Sequence, residues 1–170
     1  FYITVPPAYL KENLSNVTIK LFVFAYYDTK VTIKSDAKSY SESANVNANT
    51  EAMFDLLPEI VFPFNSTTSL PQSSEEIYKK SALKITSDFP VSVYVVISGD
   101  SQCEGFLALP VSSLGKEYVL KSYIDPTSQI PSSIFYPAIA GIVNPFDGNQ
   151  IKIILSNKLK GNVFLADTII

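Results

Sequence analysis

From Val17 to Tyr26 the chain reads VTIKLFVFAY, and this stretch limits the fold more than any other. Side chains on a strand alternate between its two faces. At that period Val17, Ile19, Leu21, Val23 and Ala25 share one face, while Thr18, Lys20, Phe22, Phe24 and Tyr26 share the other. A helical period would scatter the same residues around a cylinder. Because the stretch is largely apolar on both faces, it reads as a central strand, hydrogen-bonded along both edges and covered on both sides.

The same period recurs along the chain. Val91, Val93, Val95 and Ile97 alternate with Ser92, Tyr94, Val96 and Ser98, and the habit returns in Lys30–Lys34 and Gln150–Ser156. Turn chemistry separates these runs at Tyr27-Asp28-Thr29, Phe89-Pro90, Ser98-Gly99-Asp100, Asn144-Pro145, Asp147-Gly148-Asn149 and Lys160-Gly161-Asn162. The segment Lys84–Val119 reads as strand, turn, strand, loop, strand, with Cys103 in the loop Ser98–Gly105 and the last strand at Tyr118. Only Ser73–Lys80 has the composition of a helical turn, with Ser74 as its cap.

The expected fold is therefore all-β: an antiparallel β-sandwich or jelly-roll-like unit over residues 1–115. A faint internal repeat extends the reading. Tyr2 matches Tyr118, Asp28 matches Asp147 and Val31 matches Ile151, so residues 116–170 are expected to open a second, related β unit packed on or completing the first. The strand-like ends, FYITV and FLADTII, and the lack of a visible signal peptide at Phe1 are those expected of a mature or clipped piece of a longer protein.

Composition narrows function by what it omits. The 170 residues include no His and no Trp, and all 13 basic residues are Lys against 16 acids, for a net charge of −3. Without His there is no imidazole base near neutral pH and no Ser–His or Cys–His nucleophile pair. Without Arg there is no planar fork for phosphate or guanine edges, so nucleic acid is not an expected partner. Nor is membrane insertion expected: the longest apolar candidate, Ile134–Val143, is ten residues long and contains Pro137.

Three N-x-S/T sequons, at Asn13, Asn16 and Asn65, favour a secreted glycoprotein over chance occurrence in a Ser/Thr/Asn-rich chain. Cys103 is the single cysteine. It is either half of a disulfide to another segment or chain, or a small buried hydrophobe. No cofactor is expected. Calcium held by Asp100, Glu104 or Asp147 is the weaker alternative, because it needs six or more oxygens.

The stretches LKITSDFPVSVYVV (Leu83–Val96) and GFLALPVSSLGKEYVL (Gly105–Leu120) resemble the signature of the IgG Fc-binding protein N-terminal domain family. The likeness rests on Thr86-Ser87-Asp88, Pro90, Val91-Ser92-Val93-Tyr94, and Leu109-Pro110 through Leu114-Gly115 to Tyr118. Asp28–Ile33 and the opening Phe1–Pro6 support it. Asp147–Ile151 is looser than the family pattern, and Cys103 lies outside it. The resemblance implies a non-enzymatic interaction or adhesion module of large secreted proteins in mucus, adhesives and extracellular coats, but it places Fc binding on no particular residue.

Structural roles account for the same residues without any ligand. Asp88 would cap the turn that Pro90 pre-sets. Gly115 would adopt positive φ before a strand at Tyr118, and Tyr94 and Tyr118 would bury their rings. Partners are expected to be extracellular glycoproteins or glycans met through exposed aromatics, the chain holding 10 Tyr and 11 Phe. The alternative is a structural subunit of an extracellular filament or coat, self-assembled through strand edges or Cys103. Less favoured is a carboxylate-only glycoside hydrolase using two of Glu75, Glu76, Asp100, Glu104 and Asp125.

Overall fold

The structure is a computed structural model that describes residues 1–5, 16–62, 79–99, 103–120, 141–146, 148–154 and 168–169. The strands are β1 (Tyr2–Ile3), β2 (Thr18–Ala25), β3 (Thr29–Ser35), β4 (Tyr40–Val46), β5 (Thr50–Leu56), β6 (Leu83–Ser87), β7 (Val91–Ser98), β8 (Cys103–Ala108), β9 (Lys152–Ile153) and β10 (Thr168–Ile169). One short helix, α1 (Pro58–Val61), and a 3-10 turn at Val111–Ser113 complete the described elements.

Two four-stranded antiparallel sheets carry the fold, so the all-β expectation holds. The first runs β1-β6-β3-β4 and the second β5-β2-β7-β8, while β9 and β10 form a separate antiparallel pair. One apolar cluster draws on both sheets: Ile3, Val31, Ile33, Val46, Leu83 and Ile85 from the first, and Ile19, Leu21, Val23, Phe54, Leu56, Val93, Val95, Ile97 and Ala108 from the second. Two sheets that bury their inner faces in a common core form a sandwich. The inner residues of β2 and β7 are those the alternation assigned inward, from Ile19 to Ala25 and from Val93 to Ile97. β2 is central, flanked by β5 and β7, with Leu21 opposite both Phe54 and Val95.

The alternation also implied cover on both faces of β2, and there the structure differs. The outer side chains Thr18 and Phe24 are exposed, and Lys20 and Phe22 are only half-buried. Among the described residues no layer covers the second apolar face of this strand.

Three connections change sheets at one end of the sandwich: residues 26–28, 47–49 and 88–90. They are tied together by hydrogen bonds. The Ala48 amide donates to Asp28 Oδ1 at 2.7 Å, and the Asn49 amide donates to the Ala25 carbonyl at 2.8 Å. The Phe89 amide donates to Thr29 Oγ1 at 3.1 Å, and the rings of Tyr27 and Phe89 lie 5.8 Å apart. Asn49 takes the left-handed conformation, φ 60°, which Asn tolerates better than most residues.

Several local expectations need correction. The Asp88 turn is capped by Thr29, not by the Asp88 carboxylate, because Thr29 Oγ1 already receives the Phe89 amide. Gly115 does not have positive φ, and Tyr118 lies outside any strand. Its exposed ring instead sets its hydroxyl 2.7 Å from the Gly115 amide, which donates to it. β4, β5 and α1 carry no signal read in the sequence, and β8 begins at Cys103, inside the stretch expected to be a loop, because Cys103–Ala108 pairs with β7. Pro58 suits the first turn of α1, where an amide proton would have no helical partner. Most of the Ser73–Lys80 turn lies outside the described residues, as does Asp147 of the repeat. Ile151 is half-buried just before β9.

Candidate functional site

The registers place four outward side chains in one row across the second sheet. Phe22 stands opposite Met53 on one side and Tyr94 on the other, and Tyr94 stands opposite Leu107. Directly opposed residues in antiparallel strands share a face. Met53, Phe22, Tyr94 and Leu107 therefore form a continuous apolar stripe from β5 to β8. Phe24 lies in the adjacent row between Glu51 and Ser92, and its ring meets Tyr94 edge to face at 5.7 Å. A shallow hollow of about 530 Å³ lies against Phe22, Phe24, Glu51, Ser92 and Tyr94.

The stripe has substantial open area. Met53 is 48%, Tyr94 43%, Leu107 50% and Phe24 41% exposed. At about 200 Å² per large side chain, these fractions leave roughly 360 Å² of largely apolar surface facing solvent. A contiguous patch of that size is in the range that marks functional surface on single domains. Beyond the stripe, Lys20 Nζ lies 3.7 Å from Asp55 Oδ1, and both side chains are well exposed, so the pair adds little stability. The Glu51 side chain makes no ion pair or hydrogen bond among the described residues.

The opposite face of the sandwich is different in kind. On the first sheet, outward positions hold Lys30, Thr32 and Lys34 of β3, Lys84 and Thr86 of β6, and Ser41, Ser43 and Asn45 of β4. Among the described residues its outward ring is Tyr2, with Lys84 Nζ 5.8 Å from the ring centre. At the β4 edge the Tyr40 hydroxyl donates to Glu42 Oε2. Burial, aided by that carboxylate, holds the Tyr40 phenol well above its ordinary pKa.

Of the residues singled out in the sequence, Tyr94 joins the stripe, and its ring is displayed, not buried. Asp88 and Pro90 sit in the exposed crossover between β6 and β7. Leu109 is exposed and Pro110 half-buried beyond β8. Cys103 is an exposed free thiol at the start of β8, which removes the buried-hydrophobe alternative. Asn16 is exposed immediately before β2, while Asn13 and Asn65 lie outside the described residues. Glu104 is exposed on β8; Glu75, Glu76, Asp100, Asp125 and Asp147 lie outside the described residues. Among the described residues no three His, Cys, Asp or Glu side chains gather as a metal site would require. No helix among them is long and apolar enough to cross a membrane.

Phe22, Phe24, Met53, Leu107, Glu51 and Ser92 were not singled out as site residues. Their signal was the two-sided apolarity of β2, which a sequence cannot assign to covering or to display. Comparison of the chain with protein-family models, curated proteins and solved structures gave no match.

Proposed function

We propose that this chain is a non-enzymatic interaction module of a larger secreted glycoprotein, and that it meets glycoprotein or glycan partners through the outer face of its second sheet. The observation that carries the reading is the Met53–Phe22–Tyr94–Leu107 stripe with Phe24 beside it. Rigid aromatic side chains on a paired sheet offer large contact area and little conformational freedom to lose on binding. Glu51 and Ser92, bordering the hollow, supply an acceptor and a hydroxyl for orienting a polar ligand. The resemblance of Thr86–Tyr94 and Leu109–Tyr118 to the IgG Fc-binding protein N-terminal domain family supports the same role, and the exposed Asn16 sequon suits an extracellular setting.

The test uses the full chain and a Phe24→Ser/Tyr94→Ser variant whose fold is checked by circular dichroism. Both are applied to a glycan array and to immobilised purified mucin. Retention of the unsubstituted chain and loss of at least tenfold in the variant supports the reading. No retention of either protein, or equal retention of both, refutes it.

A further inference from the structure

We infer that the partner of the aromatic face is the lysine-bearing face of a second copy of this chain, so that copies stack head to tail. The inference rests on the proposed use of the second sheet's outer face as an interaction surface, and names a second copy of this sequon-bearing chain as the glycoprotein that covers it.

Charge is the first support. The outward residues of the first sheet carry Lys30, Lys34 and Lys84, all exposed, with no acid among them. Lys34 stands directly opposite Lys84, an arrangement in which like charges destabilise each other until an anion approaches. Among the described residues Lys30 and Lys34 make no ion pair. The outward face of the second sheet carries Glu51 and Asp55, and among the described residues only Asp55 is matched, by Lys20.

Spacing is the second. Lys30 and Lys34 are four residues apart on β3, and Glu51 and Asp55 are four residues apart on β5. At about 3.3 Å per strand residue, each pair spans roughly 13 Å. Two faces stacked with aligned strands can therefore bring both acids of one copy onto two lysines of the next. The remaining lysine then faces the rings of Phe24 and Tyr94, whose π surfaces attract an ammonium group. The Lys84–Tyr2 contact shows the same lysine beside a ring within one copy.

Charge favours this pairing over the simpler one. The open apolar stripe of roughly 360 Å² is under half of the about 800 Å² per partner that a stable interface buries, so polar groups around it must contribute. Packed against its own kind, it would offer the unpaired Glu51 a face whose described cation, Lys20, already pairs with Asp55. Packed on the lysine face, it gains opposite charges around its rim. That contact uses different surfaces on the two copies and does not close, so it propagates into a row.

Sedimentation velocity of the full chain over rising concentration tests the inference. The average mass should climb past that of a dimer at low salt and return toward monomer at high salt. Lys34→Glu and Glu51→Lys are both substitutions at exposed positions, and each should abolish growth. An equal mixture of the two should regain growth, because the intact faces pair and the reversed charge on one variant again meets its opposite on the other. Lys34→Gln and Glu51→Gln should weaken growth without abolishing it. A chain that is monomeric at every concentration overturns the inference, as does a dimer that ignores both charge reversals. If that monomer still retains a glycan or mucin through Phe24 and Tyr94, the interaction-face reading survives; if it retains nothing, both readings fall.

Discussion

Replacing adjacent-face residues of β2 separately tests whether one side of that strand is core and the other display. Leu21 has no exposed surface and lies in the centre of the second sheet, opposite Phe54 and Val95. Truncation to Ala removes buried carbons and leaves a cavity that the two flanking strands cannot collapse into, so Leu21→Ala should lose about 3–4 kcal/mol. Phe24 is 41% exposed, and its chief described ring contact is the edge-to-face meeting with Tyr94. Phe24→Thr keeps strand propensity and forfeits that contact, for a loss of about 1 kcal/mol. For a chain of this size, 1 kcal/mol shifts Tm by about 2–4 °C, so the two variants should melt roughly 10 °C and about 3 °C below the parent. Urea unfolding followed by circular dichroism should show lower midpoints with unchanged slope in both. Equal losses, or a larger loss at Phe24, would refute the reasoning, because the outer face would then be packed and unavailable to any partner.

Three further outcomes follow from single contacts. Thr29→Val keeps shape but removes the acceptor for the Phe89 amide, and should lower unfolding free energy by about 1 kcal/mol in urea. Ser35 is fully buried and its hydroxyl has no partner among the described residues, so Ser35→Ala should leave stability unchanged or raise it by up to about 1 kcal/mol in the same assay. Folding holds the Tyr40 phenol above its ordinary value near 10, chiefly by burial and then through Glu42. Its contribution is therefore complete below about pH 10 and fades as pH rises beyond that point, because the unfolded chain releases the proton first. Urea midpoints measured from about pH 9 upward should fall more steeply for the parent than for Tyr40→Phe.

Much of the sandwich was legible wherever alternation was strong. The inward positions of β2, β3 and β7 hold Ile19, Leu21 and Val23, then Val31 and Ile33, then Val93, Val95 and Ile97, so their period alone fixed their faces. β4 escaped notice because it is an edge strand whose inward positions hold Tyr40, Glu42, Ala44 and Val46, of which only Val46 is buried. In β5 the alternation is Ala52, Phe54, Leu56 against Glu51, Met53, Asp55, short and interrupted by a large apolar residue on the outer side. Turn chemistry located the breaks at Asp28 and Pro90 but did not distinguish a hairpin from a change of sheet; both satisfy the same backbone groups.

The candidate surface was legible only in its ingredients. Met53, Phe22, Tyr94 and Leu107 are scattered along the chain and become neighbours through strand register, which depends on long-range pairing. Tyr94 stood out through the family resemblance, yet its expected burial was wrong, because its outward position follows from a sheet whose second face has no covering layer among the described residues. Gly115 and Tyr118 illustrate the reverse case. Their proximity was implied by spacing, but a single amide–hydroxyl bond joins them where a strand was expected.

Thr18 finds its sheet neighbour Ser98 80 positions away, so the edge of β2 that receives β7 is completed late during synthesis. On a ribosome, Val17–Tyr26 emerges long before the segment that satisfies that edge, sticky on both sides and with open amides. Distant pairing of this kind slows folding and lengthens exposure to wrong partners. Cells making this chain would therefore gain from a holding factor that occupies β2 until Val91–Ser98 has left the exit tunnel, and heterologous production without one should favour inclusion bodies at high synthesis rates.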